Sequence, residues 1–226
     1  LLIEDDSHSF KINNKNSHQL SDVTFYSPRK IIKSIYSGGI LKINNQTKNI
    51  FFHKQLNKYT ISLFEMFNYF LENNFLKFKR LLKYLIFKKP VFEKIDTIKN
   101  QKIKQDLLMD EFSKKTLLNN THNKIKNVRI RNYKVWKKIC AKNKLILPID
   151  RKLDKNRIPW VYPVYVNNSK LRNKLFSFGW KNGYLITSWP SLPKILINNR
   201  NKKTWSKLIC FNTDNAPKEF NRINFI

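Results

Sequence analysis

Length, composition and charge narrow the class of protein at the outset. The chain has 226 residues, enough for one or two domains with a hydrophobic core, and a formal net charge of +30. It holds no uninterrupted apolar run of transmembrane length and no cysteine spacing typical of a disulfide framework or a zinc site, and its first residues are not expected to form a signal peptide. We therefore expect a cytoplasmic protein without a metal centre, in which Cys140 and Cys210 are buried free thiols.

The basic charge has a compositional explanation. Lysine outnumbers arginine by 36 to 9, and Lys, Asn and Ile together make 90 of the 226 residues. This pattern favours drift towards A/T-rich codons, which adds lysine over the whole surface. A dedicated nucleic-acid groove more often uses arginine. Nucleic-acid binding stays an alternative, and it requires that the lysines cluster on one face.

Three strands are predicted in residues 1–50. An apolar run at residues 1–5 ends in carboxylates, which is typical of a buried strand that delivers an acid to its carboxyl edge. Residues 22–26 alternate into a turn at Ser27-Pro28, and this second strand presents Lys30 at the same edge. Gly38 and Gly39 follow, then a third strand at residues 40–43. Between the first two strands, residues 11–17 are polar and predict a surface loop.

The rest of the chain predicts helices followed by a mixed region. Apolar residues recur at helical spacing in residues 54–89, 102–119 and 124–142. Residues 158–166 alternate as a strand, and a helix over residues 170–178 is predicted to begin at a Ser169 cap and to stop at Gly179. Residues 180–186 would return as a strand.

Residues 75–89 predict a basic amphipathic helix that is rich in phenylalanine. Such a helix can lie on an anionic membrane surface. The alternative is that its apolar side packs on its own domain or on a partner subunit, with the lysines solvated. Pro90 is expected to end it.

Two short blocks resemble a known family. Residues 3–8 read Ile-Glu-Asp-Asp-Ser-His, and residues 27–30 read Ser-Pro-Arg-Lys before the Gly38-Gly39 pair. This order of carboxylate, lysine and paired glycines resembles the DegT-type nucleotide-sugar aminotransferases, which belong to the fold-type I superfamily of pyridoxal phosphate enzymes. Residues 128–133 resemble the Arg-x-x-Asn-Tyr helix of that family, and residues 158–190 resemble its closing domain.

The resemblance implies an architecture. It is an α/β fold in which residues 1–50 are the remnant of the large-domain sheet, with three strands. Residues 51–118 are a helical connecting region, and residues 119–226 are a small α+β C-terminal domain. The matching region begins about halfway along such enzymes, so we expect a fragment that corresponds to their C-terminal portion.

The resemblance also assigns roles to residues around one cofactor. Lys30 would form the Schiff base with pyridoxal 5'-phosphate, which makes it the catalytic residue. Asp5 would pair with the pyridinium nitrogen, although Asp6 competes for that role, and His8 would lie beside the ring. A single lysine is otherwise an ordinary surface residue, and a strand-end acid is otherwise a cap.

Further cofactor contacts follow from the same resemblance. Ser27 and Arg29 would hold the phosphate, although many relatives place that serine where this chain has Phe25. Gly38 and Gly39 would let the backbone pass close to the cofactor, whereas a plain hairpin turn would also use them. Trp189 would stack near the substrate or pack in a core. Where the family often has His, this chain has Ser188.

The implied function is amino transfer to a keto sugar carried on a nucleotide, as in cell-surface polysaccharide biosynthesis. The implied partners are an amino donor, the nucleotide-sugar substrate and a second copy of the chain, since the complete enzymes are homodimers. Two other classes stay open. One is a non-catalytic aminotransferase-like domain kept for assembly, and the other is a basic protein that binds nucleic acid or a membrane surface.

Overall fold

A computed structural model describes residues 2–6, 9–11, 21–32, 35–44, 57–58, 60–75, 78, 81–82, 85–86, 107–119, 122–149, 153, 157–188 and 207–217. The fold is mixed α/β. The chain divides into two compact units. Unit 1 comprises residues 1–73, 101–127 and 153–160, and unit 2 comprises residues 74–100, 128–152 and 161–226.

Unit 1 is built on a three-stranded sheet. Strand β1 (Ile3–Asp5) runs parallel to β3 (Val23–Tyr26), and β4 (Ile40–Ile43) pairs antiparallel with β3 on its other side. Two smaller ladders accompany this sheet. β2 (Ser9–Lys11) pairs antiparallel with β8 (Arg157–Pro159), and β5 (Asn57–Lys58) runs parallel to β6 (Leu107–Leu108).

One face of the sheet in unit 1 packs on a hydrophobic core. Side chains alternate between the faces of a strand, so Tyr26 and Ile40, which are directly paired, share the core face. The buried core members are Tyr26, Ile31, Ile32, Ile35 and Ile158. The opposite face of the sheet is largely open, because Ile3, Phe25, Leu41 and Ile43 are all exposed.

Helices α1 (Leu63–Asn74) and α2 (Glu111–Leu118) also lie in the sequence of unit 1. Helix α1 begins at a capping box, in which the Glu65 carboxylate accepts from the backbone N–H and the hydroxyl of Ser62. Helix α2 begins at Asp110, whose side chain accepts from the Ser113 N–H.

Unit 2 contains a four-stranded antiparallel sheet with the order β10-β11-β9-β7. Its strands are β7 (Ile146–Pro148), β9 (Val161–Val166), β10 (Ile186–Ser188) and β11 (Leu208–Asn212). Strand β9 alternates between half-buried and buried residues, with Tyr162, Val164 and Val166 inside. Every residue of β11 is buried, as expected for a strand with a neighbour on each side.

Two longer helices complete the described part of unit 2. Helix α3 (His122–Cys140) crosses the unit boundary at residues 127–128, and α4 (Ser169–Asn182) follows β9. The inward side chains of α3 recur at helical spacing, with Tyr133, Trp136 and Cys140 buried. Trp136 packs against Phe211 of β11 with their ring centroids 4.7 Å apart.

The Arg-x-x-Asn segment of α3 fastens the turn that follows β11. Arg129 is 2% exposed and donates to the Thr213 hydroxyl and to the Asp214 carboxylate. Asn132 donates to the backbone carbonyls of Thr213 and Asp214 at 2.9 and 3.0 Å. These residues therefore have a structural role within unit 2.

Several predicted boundaries are wrong. Strand β5 interrupts the helix predicted over residues 54–89, and α2 starts at 111 rather than 102 because Asp110 caps it there. The predicted strand 158–166 divides at Trp160 into β8 and β9, which join different sheets. Lys11 lies in β2 rather than in a loop.

The predicted ends of α4 are also wrong. Asn168, not Ser169, supplies the cap, and its side chain accepts from the Leu171 N–H. Gly179 is a buried residue within the helix. Glycine is needed there because a Cβ would lie 2.9 Å from the Tyr184 carbonyl oxygen. The helix stops at Gly183, whose φ of 71° is left-handed, so the strand predicted from 180 begins only at Ile186.

The expectation of free buried cysteines is confirmed. Cys140 and Cys210 are both buried and unbridged, and burial raises the pKa of the Cys210 thiol to about 12. Within the described ranges, helices are too short or too polar to cross a membrane. In the predicted 75–89 helix, the described apolar side chains are exposed, namely Phe75, Phe78, Leu81, Leu82, Leu85 and Ile86, whereas its lysines lie outside the described residues.

Candidate functional site

The candidate site lies where β1 and β3 end. The two strands are parallel and in register, with Asp5 opposite Phe25, so their carboxyl ends form one edge of the sheet. The Asp6 N–H donates to the Phe25 carbonyl at 2.9 Å, which extends the pairing to this edge. The carboxylate of Asp5 and the turn after Tyr26 are therefore held side by side by backbone hydrogen bonds.

A single turn of 3₁₀ helix, Pro28–Lys30, carries the lysine. Proline at its start fixes φ near the helical value and needs no N–H partner. The Lys30 N–H donates to the Ser27 carbonyl, and the Ile31 and Ile32 N–H groups donate to the Pro28 carbonyl. Since Ile31 and Ile32 are core residues, the backbone around Lys30 is fixed on both sides.

The Lys30 amine has an environment that suits a nucleophile. Burial lowers its pKa, the Asp5 carboxylate opposes this by raising it, and Arg29 lowers it further, with a net lowering. A lowered pKa increases the fraction of neutral amine, which is the reactive form. The Lys30 Nζ also lies 5.7 Å from the centroid of the Trp160 ring, within cation–π range.

A polar network locks the strands on the core face of the sheet. The Glu4 carboxylate accepts from the hydroxyls of Ser21 and Thr24 at 3.2 and 3.3 Å. The Asn44 amide donates to the same two hydroxyls, at 3.1 and 2.7 Å. Because Thr24 is fully buried and belongs to the central strand, this network fixes β1, β3 and the end of β4 relative to one another.

The paired glycines are explained by packing within unit 1. Gly38 has a φ of 81°, and a Cβ there would lie 2.7 Å from the Met109 Cβ. A Cβ on Gly39 would lie 2.6 Å from the Phe25 ring. Both positions therefore exclude a side chain whether or not a ligand is present. Their predicted approach to a cofactor stays a prediction.

The start of α2 anchors the segment that contains these glycines. The Ser113 hydroxyl accepts from the Tyr36 N–H at 2.8 Å. The Ser37 hydroxyl donates to the Asp110 carboxylate and accepts from the Asp110 N–H. Burial raises the pKa of Asp110, but the hydrogen bonds from Ser113 and Ser37 outweigh that effect and leave the pKa lowered. The anchor therefore depends on an ionised carboxylate.

The predicted site residues differ in their placement. Asp5 and Lys30 come together at the strand edge, and Asp5 is the carboxylate whose charge acts on Lys30. Ser27, directly before the turn, is buried, and Arg29 within the turn is exposed. His8 and Trp189 lie outside the described residues. Metal-binding clusters are absent from the ranges described.

Residue Trp160 was missed by the sequence prediction. It was taken as part of one continuous strand, whereas its ring lies over the Lys30 amine. The Pro159 before it was a sequence signal for an irregular strand, but nothing in the sequence indicated where the ring would lie.

Comparisons of the chain with family models, with curated proteins and with solved structures found no match. The candidate site therefore has to be judged by its own geometry. A half-buried amine of lowered pKa beside a carboxylate can attack an electrophilic carbonyl carbon and can carry a proton between neighbouring atoms.

Proposed function

We propose that this chain carries the lysine portion of a pyridoxal phosphate-dependent aminotransferase of fold type I, equivalent to the C-terminal part of a DegT-type enzyme. Its substrates would be an amino donor and a keto sugar carried on a nucleotide, in the cytoplasm. The observation that carries the proposal is that the Lys30 amine lies within electrostatic range of the Asp5 carboxylate at the edge where two parallel strands end.

The residues at this edge fit the cofactor chemistry. When bound, pyridoxal phosphate supplies an electrophilic carbonyl and an electron sink. Lys30 would attack that carbonyl through its neutral amine and would later hold and return a proton. Asp5 would accept a hydrogen bond from the protonated ring nitrogen and so favour its charged form. Arg29 and the hydroxyl of Ser27 would hold the phosphate.

Fixed geometry supports the assignment of roles. An acid at the end of one strand and a lysine in the fixed turn after the neighbouring strand keep their spacing without the loss of conformational entropy that flexible loops would suffer. The Glu4 network and the Ile31 and Ile32 core contacts provide this rigidity. The sugar and the amino donor are proposed by resemblance alone.

The second proposed partner is another copy of the chain, docked through helix α1. Its face of Leu63, Phe64, Phe67 and Phe70 is exposed, with Leu63 at 85% and Phe64 at 73%. Residues 59–76 form the longest stretch of the chain without Lys or Arg, and they contain Glu65 and Glu72. In a chain of net charge +30, this face can meet its own copy with the least charge repulsion.

Sedimentation equilibrium tests this dimer. We expect self-association of the wild type at micromolar concentration and at least about a tenfold weaker association for the double variant Phe64→Ser, Phe67→Ser. The matched control is Leu145→Ser with Leu147→Ser, which removes two exposed leucines outside α1. Equal weakening by both pairs would place the interface elsewhere.

The catalytic proposal is tested by trapping. The purified chain is incubated with pyridoxal phosphate, reduced with borohydride and digested, and the labelled lysine is located by mass spectrometry. We expect an absorbance band that disappears on reduction and a label on Lys30. In Lys30→Ala the amount of label per chain should fall by about tenfold or more. Lys42→Ala is the control, because Lys42 is an exposed lysine on the neighbouring strand β4.

The possible results separate the candidate functions. Label spread over many lysines, unchanged in Lys30→Ala, would contradict a cofactor site at this edge. That result would favour the non-catalytic alternative, an aminotransferase-like domain kept for assembly, for which the exposed face of α1 is the supporting observation.

A further inference from the structure

The excess positive charge is unevenly divided between the two units. Unit 1 holds 17 basic and 10 acidic residues, a net charge of +7, whereas unit 2 holds 28 basic and 5 acidic residues, a net charge of +23. The units are similar in length, at 108 and 118 residues. Compositional drift acts on both units alike, so it does not explain why acids are scarce in one of them.

In the described part of unit 2, acidic side chains hardly contribute to the surface. Asp214 is the sole Asp or Glu among its described residues, and it pairs with the buried guanidinium of Arg129. Its charge is thereby neutralised inside the fold. Within those residues, exposed basic side chains therefore far outnumber acidic ones.

Helix α3 collects several of these charges on one face. Arg131, Lys134 and Lys138 are exposed and lie three and seven residues apart, which places them on a single stripe of an α-helix. The opposite stripe, with Tyr133, Trp136 and Cys140, is buried in unit 2. The stripe is thus held on a rigid, well-packed element, and it spans about 10 Å along the axis.

We propose that this basic face, formed by Arg131, Lys134 and Lys138, binds the phosphate backbone of a nucleic acid. One strand of a duplex presents a phosphate about every 3.4 Å along the helix axis, so a stripe of about 10 Å is long enough to contact two or three phosphates. Lysine contacts phosphate as a point charge and reads no base sequence, so the binding is not sequence-specific. The proposal does not depend on the Lys30 site, which belongs to unit 1.

The apolar content of this surface favours nucleic acid over a lipid bilayer. Binding at a membrane surface combines basic residues with exposed Phe, Trp or Leu that enter the interface. Large apolar side chains are not exposed in residues 128–140 or 161–188, and the exposed ones of unit 2 lie in residues 75–86 and 145–147, outside the stripe on α3. The face is therefore suited to a purely electrostatic contact.

Fluorescence anisotropy with the full chain tests the proposal. The probes are a labelled duplex DNA of ~20 base pairs, about two helical turns, and a single-stranded RNA of the same length, and the tighter probe identifies the source of the phosphates. The test variant is Arg131→Gln, Lys134→Gln, Lys138→Gln. The control is Lys42→Gln, Lys114→Gln, Lys115→Gln, which removes the same number of exposed charges from unit 1.

We expect the α3 variant to bind at least about tenfold more weakly near 100 mM salt, with a salt slope shallower by about 3, one for each lost contact. The control should stay within about twofold of the wild type. Equal weakening by both variants would overturn the proposal, because binding would then follow net charge alone. Tighter binding to phosphatidylglycerol vesicles than to either probe, with the same dependence on α3, would overturn it in favour of a lipid surface.

Discussion

The sheets of the two units differ in how far their faces are buried. In unit 2 the strand β11 is buried along its whole length, and Trp136 and Phe211 are fully enclosed beside it. In unit 1 one face of the sheet packs on the isoleucine core, while Ile3, Phe25, Leu41 and Ile43 stay exposed on the other. The candidate amine lies at the edge of the open sheet. Reactive groups need access, and a closed core provides none.

The two units also differ in which buried polar groups hold their structure together. Unit 2 uses a nearly inaccessible guanidinium, Arg129, to fasten the turn after β11. Unit 1 uses the hydroxyls of Ser21 and Thr24, which donate to the half-buried Glu4 carboxylate under its sheet, together with the ionised Asp110 beside the glycine turn. The cost of losing one partner is larger for a buried charge than for a neutral hydrogen bond.

The largest effect on stability is expected in unit 2. Arg129→Met keeps the length of the side chain but leaves Asp214 without its guanidinium, which should lower the free energy of unfolding by about 3 kcal/mol. For a chain of this size, the melting temperature of the transition should fall by about 10 °C. Circular dichroism during a thermal scan measures this change.

The matched control for this change is Arg131→Met, because Arg131 is exposed on the opposite stripe of the same helix. It should alter stability by about 0.5 kcal/mol or less. If the two arginine variants melt together, the buried pair does not hold unit 2, and the contrast between the units fails.

A smaller effect is expected in unit 1. Asp110→Ala removes the cap of α2 and the partner of the Ser37 hydroxyl, at a cost of about 1 kcal/mol. The pKa of Asp110 is lowered in the folded state, so its contribution is present above the ordinary carboxyl pKa, about 4, and is lost as pH falls through the folded-state value. The stability gap to the wild type should therefore be constant near neutral pH and narrow below about pH 4.

Urea unfolding at a series of pH values measures this gap, with Glu111→Ala as control, since Glu111 is exposed at the next position. A gap that stays the same down to acidic pH would show that the cap does not depend on the charge of Asp110.

The local sequence pattern was sufficient to predict an element where the element's own residues define it. Alternation located β3 and β4 within a residue, and helical spacing located α3. It failed where a distant partner decides the structure. Gly179 was predicted as a helix stop, yet it lies inside α4, where a Cβ would meet the Tyr184 carbonyl, and the left-handed residue is Gly183. Similarly, β5 forms because residues 107–108 pair with it.

The features of the candidate site likewise divide into those that local pattern predicts and those that depend on distant partners. The meeting of Asp5 and Lys30 at one edge could be predicted, because parallel strands bring their carboxyl ends together. Two other features could not be predicted: the packing of Met109 and Phe25 against the paired glycines, and the position of the Trp160 ring. Both depend on long-range contacts that have no local sequence signature.

The turn that carries Lys30 has a consequence for how a ligand could enter. The N–H groups of residues 30–32 are all hydrogen-bonded within the turn, and Ile31 and Ile32 are anchored in the core. Hydrogen exchange of these amides should therefore be slow and should require opening of unit 1 itself. The backbone of this turn is therefore fixed. A ligand would be accommodated by rotation of the lysine side chain about its torsions and by movement of the Trp160 ring beside it.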